Sequence, residues 1–133
     1  MSRTSLIIRV LLAFCLLIAT ANHLRADFTY GWLWDYGYGA SAGWCSRVFW
    51  GVLTFLDPLA ALLLLIRPRM GIGLTVAIMM ADVAHNSWYV ALNHQWLETF
   101  YLSQVAFLVL VLIVSPLVWK RTVSARDFKE ANA

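Results

Sequence analysis

Residues 48–92 read VFWGVLTFLDPLAALLLLI, then RPR, then MGIGLTVAIMMADVAHNSWYVAL. These are two apolar runs of about twenty residues, the length an α-helix needs to cross the hydrocarbon core of a bilayer. Only the Arg67-Pro68-Arg69 turn parts them, so the two helices must be antiparallel neighbours. Each carries one aspartate in its apolar stretch, Asp57 in the first and Asp82 in the second.

The pattern continues in both directions. Leu6 to Leu24 is an earlier apolar run, broken by Arg9 near its start and by Asn22-His23 near its end. Thr99 to Trp119 is a later one that contains Gln104, joined to the run before it by the Asn93-His94-Gln95-Trp96 turn. The sequence therefore predicts an all-α fold, a four-helix transmembrane bundle of up-down topology. It forms one domain over residues 1–123, with spans at about 6–24, 48–66, 71–92 and 99–119. Residues 25–47 form an outer aromatic loop, and residues 124–133 a polar, partly disordered cytoplasmic tail. Arg3, Arg9, the run Val10 to Ile18 and Ala19-Thr20-Ala21 also fit a signal peptide cleaved after Ala21. The fuller apolar run from Leu6, ending in a polar pair, fits a retained helix better.

Composition agrees. Hydrophobic residues are 62% of the 133, and charged residues 13%, against roughly 25% in ordinary soluble domains. The net charge of +3 does not point to nucleic acid, because the basic residues gather at helix ends rather than along a stripe with interleaved aromatics. Arg3, Arg9, Arg67, Arg69, Lys120, Arg121, Arg126 and Lys129 fall on one side of the bundle, and only Arg25 and Arg47 on the other. That bias places both termini in the cytoplasm, for a multi-pass protein of the bacterial inner membrane. The expected partners are the lipid bilayer and, beyond it, a second copy of the chain or a larger membrane complex. Cys15 and Cys45 fall at different depths, which disfavours a disulfide.

Aromatic residues are lopsided. Trp32, Trp34, Trp44, Trp50, Trp88 and Trp96 cluster toward the outer side with Tyr30, Tyr36, Tyr38, Tyr89 and Tyr101, and only Trp119 marks the inner side. Most read as a belt at headgroup level. The Trp32, Trp34, Tyr36 and Tyr38 segment, threaded with glycines, reads as a lid over a pocket between the helices.

The functional candidates are the polar groups placed where they are expensive. An ionisable side chain inside a membrane costs roughly 2.5–3.5 kcal/mol on insertion scales, so it turns inward and finds a use. Counting from the outer ends of their helices, Asp57 and Asp82 both lie about 14–15 Å deep. On the third run, Gly71, Thr75, Ile78, Asp82, His85, Asn86 and Tyr89 share one face, and on the second so do Thr54, Asp57 and Ala61. His23 and Asn22 sit nearer the outer surface, and Gln104 joins from the fourth run. Below the aspartates the sequence is apolar, so the pocket is expected to open on the extracytoplasmic side.

Three readings follow. Asp57 and Asp82 clamp the helices by bonding His85, Asn86 or Thr54, each bond contributing about 0.6–2 kcal/mol. Or the cluster binds a small ligand, an ion or a proton, since two close carboxylates in low dielectric cannot both ionise easily. Or it is a membrane-embedded enzyme or metal site using Asp57, Asp82 and His85 on a lipid-soluble substrate. No cofactor is expected. A transition metal on Asp82, His85 and Asp57 is the weakest variant, because Asp-x-x-His alone is an unspecific pattern. No serine has an evident activating base, and no phosphate loop, dinucleotide fingerprint, HExxH or CxxCH motif occurs. The sequence leans toward a non-enzymatic protein.

Overall fold

The computed structural model describes residues 3–130, with side chains through Trp119. It is all-helical: α1 (Arg3–Tyr30), α2 (Trp44–Ile66), α3 (Pro68–Leu92) and α4 (Thr99–Glu130). α1, α2 and the Thr99–Trp119 part of α4 are long and apolar enough to cross a membrane. α3 is less apolar, because Asp82, His85, Asn86 and Ser87 crowd into its second half. Large apolar side chains such as Phe14, Phe55 and Ile113 point outward. Water would disfavour such a surface, whereas lipid accepts it.

Two helices outrun their expected ends. α1 continues through Arg25-Ala26-Asp27-Phe28-Thr29, which holds no helix breaker, and stops where the Gly31 N–H caps the Asp27 carbonyl. Gly31 has φ +90°, the left-handed conformation that glycine adopts cheaply at a helix C-terminus. The connection to α2 is thus residues 31–43, with a short 3-10 turn at Gly39–Ser41. α4 continues to Glu130, through most of the segment expected as a tail, because 120–130 has several good helix formers and no Gly or Pro. Residues 131–133 of that expected tail lie outside the described residues.

Contacts between successive helices run antiparallel. Along α1 and α2, an Arg9 guanidinium nitrogen lies 3.5 Å from the Leu64 carbonyl, His23 lies beside Asp57, and Thr54 donates to Asp27. Along α2 and α3, Gly71 nestles against Leu64, and Trp50 donates to Asn86. Any Cβ at Gly71 would collide with the backbone of Leu63 and Leu64, so only glycine lets α3 pack this closely after a one-residue break. Along α3 and α4, Asn86 meets Gln104, and Ser87 meets Tyr101. α1 and α4 touch far less than the three pairs of successive helices do. The apolar core runs from Leu64, Ile72 and Val118, at the end of the bundle away from the 31–43 loop, to Trp50, Tyr89 and Ala42 at the loop end. The loop end is where the fold departs from solid packing.

Candidate functional site

A cavity of about 490 Å³ lies between the helices toward the loop end. Its back wall is Trp50, Leu53 and Asp57 of α2 with Ile78, Met79, Asp82 and Asn86 of α3, all of them buried. Helical spacing of three and four puts each set on one face. The front is Ile18, Ala19, Asn22 and His23 of α1 with Phe100, Ser103, Gln104 and Phe107 of α4. Here several lining residues are themselves exposed, Ile18 at 49% and Phe100 at 42%. The mouth therefore lies in the flank of the bundle, at the seam between α1 and α4.

The loop closes the end. Tyr36 and Tyr38 line the cavity from above and pack on Trp50, with Tyr38 reaching on to Tyr89. The Tyr36 hydroxyl lies 2.7 Å from His23 Nδ1, and the Tyr38 hydroxyl donates to Gln95 Oε1 at 3.0 Å. Tyr36 has φ +53°, a conformation side chains adopt only when other contacts hold them. Those contacts are the His23 bond and the Trp50 ring. Trp34 stacks behind Tyr36 and Tyr30, away from the cavity, while Trp32 is exposed and lies against Gly51. Of the four expected lid residues, Tyr36 and Tyr38 form the roof, and Trp34 and Trp32 support it from outside.

One knot of hydrogen bonds ties three helices. The Asn86 amide donates to Asp82 Oδ1 at 2.9 Å and to Gln104 Oε1 at 3.1 Å, and its carbonyl accepts from Trp50 Nε1 at 2.9 Å. His85 completes it. The Tyr89 hydroxyl donates to Ser46 Oγ at 2.6 Å, Ser46 Oγ lies 2.9 Å from His85 Nε2, and His85 Nδ1 lies 3.3 Å from Asn86 Oδ1. Those roles are mutually consistent if the His85 proton is on Nδ1. Its ring is packed among Phe49, Trp50 and Tyr89 rather than in the cavity wall. The expected convergence of His85 on Asp82 is thus not made. The imidazole facing the aspartates belongs to His23, whose Nε2 lies 3.7 Å from Asp57 Oδ2.

Asp57 stands apart from the knot. It is 4% exposed, yet it accepts no hydrogen bond among the described residues. Thr54, expected as its partner, is turned to Asp27 at 2.9 Å. A gap of 3.7 Å to His23 is too long for a direct bond. Among the described residues no lysine or arginine lines the cavity. Burial, and then the carboxylates of Asp27, Asp82 and Asp57, push the Tyr36 phenol up to about 12. It therefore stays protonated; with the His23 proton on Nε2, the hydroxyl donates to Nδ1 and that proton is aimed across the gap at Asp57. Asp57, Asp82 and His85 do not gather into a metal-ligand set; among the described residues no group of three or more His, Cys, Asp or Glu does.

Sequence reasoning placed Asp57, Asp82, Asn86, Asn22, His23 and Gln104 in one region, and all six line this cavity. It missed Trp50, taken for belt, although Trp50 lies two turns before Asp57 on the same face. Asp27, on α1, accepts from Thr54 of α2, and Arg47 and Asp35 form an ion pair at 3.4 Å. Both cysteines are free.

Comparison with protein-family models finds no match, and comparisons with curated proteins and with solved structures find no significant similarity.

Proposed function

We propose that this chain is a non-enzymatic, small-ligand-binding protein of the bacterial inner membrane. All four helices cross the bilayer, both termini face the cytoplasm, and the ligand is held between the helices in the outer half. The crossing of α3 is supported by its place between α2 and α4, which shield its polar face from lipid. The orientation is supported by the eight-to-two distribution of Lys and Arg.

One observation carries the binding role. Asp57 is almost wholly buried, bonds to nothing within hydrogen-bond reach among the described residues, and faces about 490 Å³ of space. A carboxylate used only as a clamp would be closed on a donor, as Asp82 is on Asn86. A cavity of this volume falls in the range of sites for drug-sized molecules. The flank mouth, between two helices apolar enough for lipid, supports access from the bilayer.

The test is recovery of a ligand. Mass spectrometry of organic extracts should find a small molecule with the protein purified in mild detergent, and Ala19→Phe, which fills the cavity, should lose it. Equal recovery from both proteins, with Ala19→Phe still folded, would sink the proposal.

A second reading rests on the Tyr36–His23–Asp57 line. If the ligand is transformed rather than held, His23 and Asp57 are the acid–base pair, and the chain is a membrane-embedded enzyme on a lipid-soluble substrate. Turnover of the recovered molecule, abolished in His23→Gln, would separate the two.

A further inference from the structure

The chemistry of the ligand can be taken further, on the premise that the cavity is a binding site. Among the wall's hydrogen-bonding groups, several donors are already committed, while the Asn22 and Gln104 amides of the front donate to nothing among the described residues. Tyr36 donates to His23, Tyr38 to Gln95, Trp50 and the Asn86 amide within the knot, and Ser103 to a backbone carbonyl. The buried back wall offers uncommitted acceptors instead: both oxygens of Asp57 and the second oxygen of Asp82.

Four classes of occupant can be weighed against that inventory. An anion would meet two carboxylates and no lysine or arginine. A wholly apolar molecule would leave Asp57 buried without a partner. A metal ion needs a gathered ligand set, which the described residues do not supply. A proton alone needs no cavity of about 490 Å³. An organic cation meets every feature. Its charge pairs with the carboxylates, the rings of Tyr36, Tyr38 and Trp50 add cation–π attraction, and Ile18, Leu53, Ile78 and Phe107 take an apolar body.

We propose that the ligand is an organic ammonium with an apolar body, admitted from the bilayer between α1 and α4 and held with its cationic head against Asp57 beneath Tyr36, Tyr38 and Trp50. Asp82 is the secondary contact, because one of its oxygens is already bonded to Asn86. A free amine fits better than a phospholipid headgroup, since among the described residues the phosphate would find no lysine or arginine in the wall.

The test uses the full chain in nanodiscs and three probes with one body: 4-phenylbutylamine, 4-phenylbutanol and 4-phenylbutanoate. Calorimetry should show the amine binding at least tenfold more tightly than the alcohol, with no binding of the carboxylate. Asp57→Asn should cut amine affinity at least tenfold and leave alcohol affinity within about twofold, at unchanged thermal stability. Asp82→Asn should cost the amine less than Asp57→Asn does. Equal affinity for amine and alcohol in the wild type, both lost in Ala19→Phe, overturns the cationic ligand and leaves the binding cavity standing. Failure of all three probes overturns the ammonium proposal, while the ligand-recovery experiment still decides the cavity. In nanodiscs of phosphatidylglycerol, partial replacement by phosphatidylethanolamine separates the two sources. Weakened amine binding supports the headgroup, and unchanged binding supports a free amine.

Discussion

Asn86 and Asp57 lie on the same cavity wall, and the protein uses them in opposite ways. Asn86 spends its side-chain hydrogen-bonding capacity on protein groups: Trp50 of α2, Asp82 of its own helix and Gln104 of α4. Asp57, just as buried, has a histidine at 3.7 Å and no hydrogen bond among the described residues. Both are polar groups in an apolar setting, and each must justify its desolvation. Asn86 does so by closing a network, and Asp57 is left open to a cavity. The sign of an intramembrane site is therefore an unspent polar residue rather than polarity as such.

The largest effect that could break this contrast is on Asn86. Asn86→Leu leaves the Trp50 indole, the Gln104 carbonyl and one Asp82 oxygen without their partner. The expected loss is roughly 2–4 kcal/mol in detergent unfolding, from about 1 kcal/mol or a little more per orphaned group. A loss under about 0.5 kcal/mol would mean the knot is not structural. Ser46→Ala probes the rim of the same knot, removing the oxygen between Tyr89 and His85. It should cost about 1 kcal/mol and leave ligand affinity untouched. A large drop in affinity instead would return His85 to the site.

Tyr36 sharpens the contrast through pH. Its phenol is held at about 12, above the ordinary 10, so the native state keeps this proton more tightly than the unfolded chain does. The associated stability is fully present below pH 10 and is lost as pH rises through about 12. The alkaline limb of a stability profile should therefore be shallower in Tyr36→Phe than in the wild type, starting above pH 10. Identical limbs would show that Tyr36 is not held as the roof requires. The smallest expected effect is Asp57→Asn, which should leave stability unchanged or raise it by up to about 1 kcal/mol, because a desolvated carboxylate is relieved. Marked destabilisation would make Asp57 a second clamp and erase the distinction.

Much of this was legible in the sequence, for reasons that can be named. Period and length give the helices, and Arg67-Pro68-Arg69 gives the α2–α3 corner. Of the inward stripe, Gly71, Thr75, Ile78, Asp82, Asn86 and Tyr89 are buried as the spacing predicts, while His85 is only half-buried. What the sequence could not reveal lay in side-chain direction and in the loop. Spacing allowed His85 to meet Asp82, but Ser46 on a different helix draws its ring the other way. The apolar run ends at Leu24 and so puts His23 near the outer surface, whereas nearly two further turns carry α1 to Tyr30. Tyr36 reaches His23 through a left-handed backbone that no periodicity encodes. The flank mouth depends on α1 and α4 standing apart, which is a property of the assembled bundle.

That seam also has a place in time. Of these four helices α1 is made before the others and α4 after them, so the cavity is the joint at which the bundle closes. Until Gln104 arrives, Asn86 lacks one partner, and the side of the cavity that α4 will cover is open to lipid. A chain stopped before α4 would hold both aspartates and no pocket. On the proposed reading, competence to bind is a mark of completed assembly, and a ligand present in the bilayer would favour the closed bundle over its unfinished forms.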